Sequence, residues 1–233
     1  MRQHRRSGAE ITAICADHNP PDSHHRYVVG EDGLVKQILF DRTGEGEGLP
    51  SLEGYIINKD TLLKIMDECK ARNQYSFHKN AVAAFLAEGG KMDTYVHPGY
   101  AVAIRSVEAY YQASMDMLKT EYRRQMFPAD RPVRTKAHEE VSTYYGEAAV
   151  SRNSLVADNC KIEGSIENCI IFSGARIEKG ARLRNCIVMR GGIVGANADL
   201  DYVIADKYCS FSAGTVLTGN SRLPIVVPKG VSI

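Results

Sequence analysis

From Val150 to the C-terminus the chain repeats a small residue, any residue, then an apolar residue, mostly at six-residue intervals. Cys160-Lys161-Ile162, Ala175-Arg176-Ile177, Ala181-Arg182-Leu183, Cys186-Ile187-Val188, Gly192-Ile193-Val194 and Cys209-Ser210-Phe211 are examples, with Gly, Asn or Asp between them. An α-helix repeats near 3.6 residues and a half-buried strand at two, so neither needs this period. A parallel β-helix does, because each coil lays short strands on the coil below and turns a small residue into a crowded inner corner. The end of the chain is therefore predicted to be a β-helix.

Charge and composition exclude several classes. The 233 residues carry a formal net charge of +1, which leaves no electrostatic footprint for nucleic acid or an anionic membrane. No apolar run approaches the roughly 20 residues of a membrane span, and no basic-then-apolar signal opens the chain. The six cysteines show no metal-ligand spacing. Cys160, Cys169, Cys186 and Cys209 take the small position of the repeat, so they are expected as buried packing residues in a reduced, cytoplasmic setting.

Ahead of the coils, strand and helix patterns alternate. Residues 9–16 read as a strand, and Tyr27–Gly30 and Leu34–Phe40 read as a hairpin around Glu31-Asp32-Gly33. Leu52–Asn58 is a further strand, Lys59–Arg72 and Phe77–Glu88 are helices, and Met92–Val96 and Tyr100–Ile104 are short strands. Ser106 caps a helix predicted to run to about Lys119, and Arg123–Gly146 reads as a linker or wrapping arm. The pattern implies an α/β layer with a partly parallel sheet. No glycine-rich turn follows the first strand, so the layer resembles the second half of a Rossmann-like domain. The expected organisation is residues 1–120 for the α/β half-domain, 121–149 for the arm and 150–233 for the β-helix.

Chemistry-bearing residues are sparse. A hexapeptide acyltransferase needs a general base at the coils, usually histidine. All seven histidines precede them, which argues against acyl transfer there and leaves a scaffold as the bland alternative. His24-His25 reads as a solvated loop pair, since adjacent side chains on an extended segment point apart. Glu45 and Glu47 sit in a glycine-rich loop that positions nothing. Lys79, Arg105, Arg134, Lys136 and Lys207 stand at places where a phosphate could be read, against the default of a surface charge.

Several stretches carry a resemblance. They are residues 4–12, Ser106-Val107-Glu108-Ala109-Tyr110-Tyr111 with Met115-Asp116-Met117-Leu118, Arg131-Pro132-Val133-Arg134-Thr135-Lys136, Thr143-Tyr144-Tyr145-Gly146-Glu147 and Ala205-Asp206-Lys207. On these the chain resembles the glucose-1-phosphate adenylyltransferase (ADP-glucose pyrophosphorylase) family, and within it the GlgD type of glycogen-biosynthesis subunit. The resemblance implies a partial nucleotidyltransferase α/β domain followed by a left-handed parallel β-helix. The family's glycine-rich phosphate loop and first metal aspartate would lie before Met1.

What the resemblance implies about sites is mostly loss. Ala103 stands where the family has its second metal aspartate, so no catalytic residue and no metal site is expected in this chain. Magnesium is expected in a catalytic partner subunit instead. Asp41 and Arg42 stand at the family's acid–base pair on the sugar phosphate, and Ser51 at its serine, so a sugar-phosphate-like pocket is expected. Arg134 and Lys207 match positions near the cleft where the family binds phosphorylated effectors, Arg suiting a bidentate phosphate and Lys a point charge. The implied role is a non-catalytic, regulatory subunit in a hetero- or homo-oligomer, with an active nucleotidyltransferase fragment as the alternative.

Overall fold

The computed structural model describes residues 1–18, 25–40, 46–135 and 139–233. Asp41, Arg42, Lys136, His24, Glu45 and His138 lie outside the described residues. The chain divides into two compact units, Met1–Ile104 and Arg105–Ile233.

The first unit is a five-stranded sheet with helices. A short helix α1 (Arg2–Ser7) precedes β1 (Ile11–Ala16), β2 (His25–Val29), β3 (Val35–Phe40) and β4 (Leu49–Ile57). Then come α2 (Lys59–Ala71), a π-helical segment at Phe77–Val82, α3 (Ala83–Ala87) and β5 (Met92–His97). The strand order is β3-β2-β4-β1-β5. β1 runs parallel to β5 and antiparallel to β4, which accounts for the partly parallel sheet. Ile11, Ala13, Cys15, Tyr27, Ile65, Val82 and Met92 form its buried core. Each comes from a position the alternating or helical pattern marks as apolar, or from the continuous run in β1.

Three expectations need adjustment. α1 is a helix ahead of the first expected strand, held by His4, whose ring nitrogens meet Thr12 Oγ1 at 2.8 Å and Asn58 Oδ1 at 3.2 Å. Phe77–Glu88 is helical but opens with a wider π-turn, capped by Ser76 Oγ accepting from the Lys79 N–H at 3.2 Å. Tyr100–Ile104 forms no strand.

One irregularity matters for function. β1 pairs Ile14 with Gly54 but Cys15 with Ser51, so Leu52 and Glu53 bulge from β4. Glu53 takes φ 55°, a left-handed conformation that costs a non-glycine residue about 1 kcal/mol.

The second unit contains α4 (Val107–Asp116), α5 (Thr120–Met126) and the coils. α5 falls inside what reads from sequence as the start of an arm, and α4 inside what reads as the first module. Three parallel five-stranded sheets follow, built from two- and three-residue strands between Tyr144 and Val227. The repeat that most constrains the sequence is thus a β-helix. Arg176 pairs with Ile193, and Ile193 with Ser210, a step of 17 residues in each case. Arg176 pairs with Lys161 below it, a step of 15. One side of the coil is a residue short, visible where Ala181 is followed by Cys186 rather than by a small residue six positions on. Stacking starts at Tyr144–Tyr145, which pairs with Lys161–Ile162, earlier than the expected Val150.

The corners explain the Asn and Gly between triplets. Asn153, Asn168, Asn185 and Tyr202 have positive φ at one corner of successive coils. Asn tolerates this conformation, and its amide also bonds along the stack. Asn153 donates to Asn168 at 2.7 Å, Asn168 to Asn185 at 3.3 Å, and Asn185 to Asp201 at 2.9 Å. Inside, Ile162, Ile166, Ile177, Leu183, Val194 and Leu200 pack with all four coil cysteines, each 3% exposed or less.

Candidate functional site

In the first unit the described polar groups converge on β2, β4 and the π-turn. Ser51 is 4% exposed, and its Oγ accepts from the Glu53 N–H at 2.9 Å, which ties down the bulge. The same oxygen is 3.2 Å from the Tyr27 hydroxyl. Tyr27 meets Tyr55 at 2.6 Å, and Tyr55 meets Nδ1 of His78 at 2.8 Å. These bonds are all satisfied if Ser51 donates to Tyr27, Tyr27 to Tyr55, and Tyr55 to an unprotonated Nδ1, which leaves the His78 proton on Nε2. Nε2 faces Glu53, whose Oε2 lies 4.0 Å away, while Oε1 lies 3.8 Å from Nε2 of His25.

The aromatic rings frame this chain. The His25 ring is 5.1 Å from Phe40 and 5.3 Å from His78, and Tyr55 sits edge-on to Phe77 at 5.7 Å. Burial raises the pKa of both Tyr27 and Tyr55 and lowers that of His78. All three therefore stay neutral near pH 7, because a charged form would lose more hydration than these hydrogen bonds return. The half-exposed Glu53 carboxylate borders this chain of hydrogen bonds.

The structure corrects one expectation here. His25 is the first residue of β2 and is 6% exposed, not half of a solvated loop pair. Its partner strand makes the difference: pairing with Phe40 turns the ring inward, and no local pattern in a proline-rich segment reveals that. Tyr27, Tyr55, Glu53 and His78 were likewise not singled out as a set from sequence. Their one available signal is a Ser-x-Glu-x-Tyr run in β4, which keeps the three residues close in sequence, whereas the bulge that sets Glu53 is not legible there.

Other expected residues are dispersed. Ser51 is in the cluster, whereas Asp41 and Arg42 lie outside the described residues. Ala103 is half-buried in an irregular segment that ends the first unit. Arg134 and Lys207 are both exposed in the second unit. Lys207 is at a coil corner, where its N–H meets Asp206 Oδ1 at 2.7 Å and its carbonyl accepts from Gly230 at 2.9 Å. Nearby on the coils, Glu140 bonds Ser173 and pairs with Arg190 at 2.9 Å, pinning the last turn of the arm.

Among the described residues no group of three or more His, Cys, Asp or Glu side chains is arranged to hold a metal ion. A separate cleft of about 700 Å³ lies between α2 and the π-turn, lined by Met66, Cys69, Tyr75 and Phe77 among others, and it is mostly apolar. No helix among the described residues is long and apolar enough to cross a membrane.

Fold and site together define a protein with an α/β layer and a hexapeptide-repeat β-helix. A family model described as GlmU-like, C-terminal hexapeptide, matches residues 137–222. The chain is 32% identical over 226 residues to the glycogen biosynthesis protein GlgD of Bacillus subtilis, covering 97% of this chain and 64% of that protein. It is 26% identical over 202 residues to a glucose-1-phosphate adenylyltransferase of Acetivibrio thermocellus, covering 84% of this chain and 47% of that enzyme. A Clostridium botulinum glucose-1-phosphate adenylyltransferase is 29% identical over 141 residues, or 60% of this chain and 36% of the enzyme. The kinship with GlgD and with the adenylyltransferases that the motifs imply is borne out along almost the whole chain. The chain spans less than two thirds of the length of each of these relatives.

Proposed function

We propose that this chain is part of a non-catalytic, regulatory subunit of glucose-1-phosphate adenylyltransferase, acting in glycogen biosynthesis in the cytoplasm. The holoenzyme would join ATP and glucose 1-phosphate into ADP-glucose and diphosphate. The observation that carries this reading is the match to GlgD over 97% of the chain. Ala103 agrees with it: a methyl group at the family's metal-aspartate position cannot hold the magnesium that offsets charge on a transferring phosphoryl group.

In this role the coils supply a rigid platform for assembly with a catalytic subunit, in a hetero- or homo-oligomer. Their flat sheet faces and short edge strands suit that purpose. Arg134 and Lys207 serve a phosphorylated effector, the guanidinium as a fork and the ammonium as a point charge. Ser51, with Asp41 and Arg42, retains the outline of a sugar-phosphate pocket. The catalytic partner, not this chain, holds the magnesium.

The test is ADP-glucose formation by this protein alone, by a catalytic subunit alone, and by both. The expected result is no activity in the first and altered activity or effector response in the third. Arg134→Ala with Lys207→Ala should blunt the effector response of the mixture. Activity in the first tube would establish an active nucleotidyltransferase instead. Identical second and third tubes would remove the regulatory role.

A further inference from the structure

The arm that enters the coils brings a carboxylate to a corner rich in basic side chains. Backbone register builds that corner on successive coils from Ser173, Arg190, Lys207 and Lys229. The Gly191 N–H donates to the Ser173 carbonyl at 3.1 Å, the Tyr208 N–H to that of Arg190 at 2.9 Å, and the Gly230 N–H to that of Lys207 at 2.9 Å. Neighbouring strands lie about 4.8 Å apart, so Arg190, Lys207 and Lys229 rise in a column with a spacing of that order. All three are exposed. Glu140 sits at the lower end of the column. Its Oε1 accepts from Arg190 at 2.9 Å and its Oε2 accepts from the Ser173 hydroxyl. Its side chain is 15% exposed, against 47% for Arg190. Two other acids are near: Asp206, whose Oδ1 accepts from the Lys207 N–H at 2.7 Å, and Asp158, on the coil below Ser173. The charge therefore runs from acid to base along the corner. The arm is anchored without Glu140. The Asn159 N–H donates to the Val141 carbonyl at 2.7 Å, and Thr143 Oγ1 donates to the Ala157 carbonyl at 2.6 Å and accepts from the Cys160 N–H at 3.0 Å.

We infer that Glu140 is a tethered competitor, occupying the Ser173–Arg190 end of a phosphate site that Lys207 and Lys229 complete. This rests on the reading of Lys207 as an effector residue; it adds Arg190 as a contact and Glu140 as the regulator. A carboxylate and a phosphate seek the same partners, a guanidinium fork and a hydroxyl donor. The carboxylate is held between Ser173 and Arg190, whereas a phosphate group has enough oxygens to bridge Arg190 and the Lys207 ammonium on the next coil. A ligand that takes Arg190 must displace Glu140 or bear its repulsion. Occupancy of the corner and the seating of the arm's acid are thus linked, and each weakens the other by the same factor.

The experiment is calorimetric titration of the whole chain with inorganic diphosphate at pH 8 and low salt. The native protein is compared with Glu140→Gln, Glu140→Ala, Lys207→Gln and the double variant Glu140→Gln with Arg190→Gln. The amide keeps the shape and removes the charge; alanine also removes the oxygen that could still hold Arg190. The expected result is diphosphate binding roughly fivefold or more tighter in both Glu140 variants, since an exposed acid is removed from the cation it shields. That gain should vanish in the double variant, and Lys207→Gln should bind more weakly than the native protein. Equal or weaker binding in both Glu140 variants, with Lys207→Gln still weakening it, would overturn the competition and leave Lys207 as an effector residue. A gain that survives the loss of Arg190 would overturn it too, because the ligand would then sit elsewhere. No diphosphate binding by any of the proteins, or binding indifferent to Lys207→Gln, would overturn both readings.

Discussion

His78 shows how one side chain is set by its surroundings. Tyr55 donates to its Nδ1 at 2.8 Å, and burial holds its pKa below the ordinary histidine value. The Glu53 carboxylate at 4.0 Å is too far to reverse that. The unfolded chain then binds more protons than the folded one between the lowered native pKa and about 6.5. Stability contributed by neutral His78 is therefore complete above about pH 6.5 and falls as the pH drops through the window beneath it. Melting temperatures measured from pH 7.5 to pH 5 should decline less steeply in His78→Asn, whose amide oxygen can still accept from Tyr55. Parallel declines in the two proteins would show that His78 does not titrate this way. Ser51, expected from the resemblance in a sugar-phosphate pocket, is in the structure the peg of a bulge. A sequence cannot show that use, because the bulge exists only where β4 pairs with β1.

At the scale of elements, α4 illustrates a correct helix with an unforeseen destination. The Ser106 cap was readable, and its Oγ accepts from the Ala109 N–H at 3.0 Å. Sequence order suggested the first module as its neighbour. Instead Tyr111 packs on Ile187 and Ile204, on the outside of the coils, and donates to the Asn185 carbonyl at 2.8 Å. The coil face was ready for it, since the strands there carry apolar residues on both sides. Tyr111→Phe should destabilise the second unit by about 1 kcal/mol through the lost hydrogen bond, and Tyr111→Ala by about 3–5 kcal/mol through the cavity. Urea denaturation followed by circular dichroism in the β region measures both. A negligible effect of the alanine variant would mean that α4 does not rest on the coils.

For the whole molecule, thiol chemistry reports how the cores are closed. The six cysteines are free, and Cys15, Cys160, Cys169, Cys186 and Cys209 are buried, whereas Cys69 is half-buried at the α2 cleft. Burial pushes the Cys15 thiol up to about 12. Since the thiolate is the reactive form, Ellman's reagent should label Cys69 quickly and the other five only as their units unfold. Rapid labelling of all six in the native protein would mean that the cores open readily. The coil cysteines were legible as packing residues because the small position of each triplet must face inward for coils to stack.

Period and composition alone determined the β-helix and its buried small residues, because stacking repeats the same local demand in every coil. The motifs similarly carried the kinship with GlgD and the adenylyltransferases, since they are properties of the chain itself. Tertiary structure alone decided the seat of α4 and the polar cluster of His25, Ser51, Glu53, Tyr55 and His78. Those depend on which strand pairs with which and where the register slips. Such choices are made by residues far apart in sequence, and no local pattern records them.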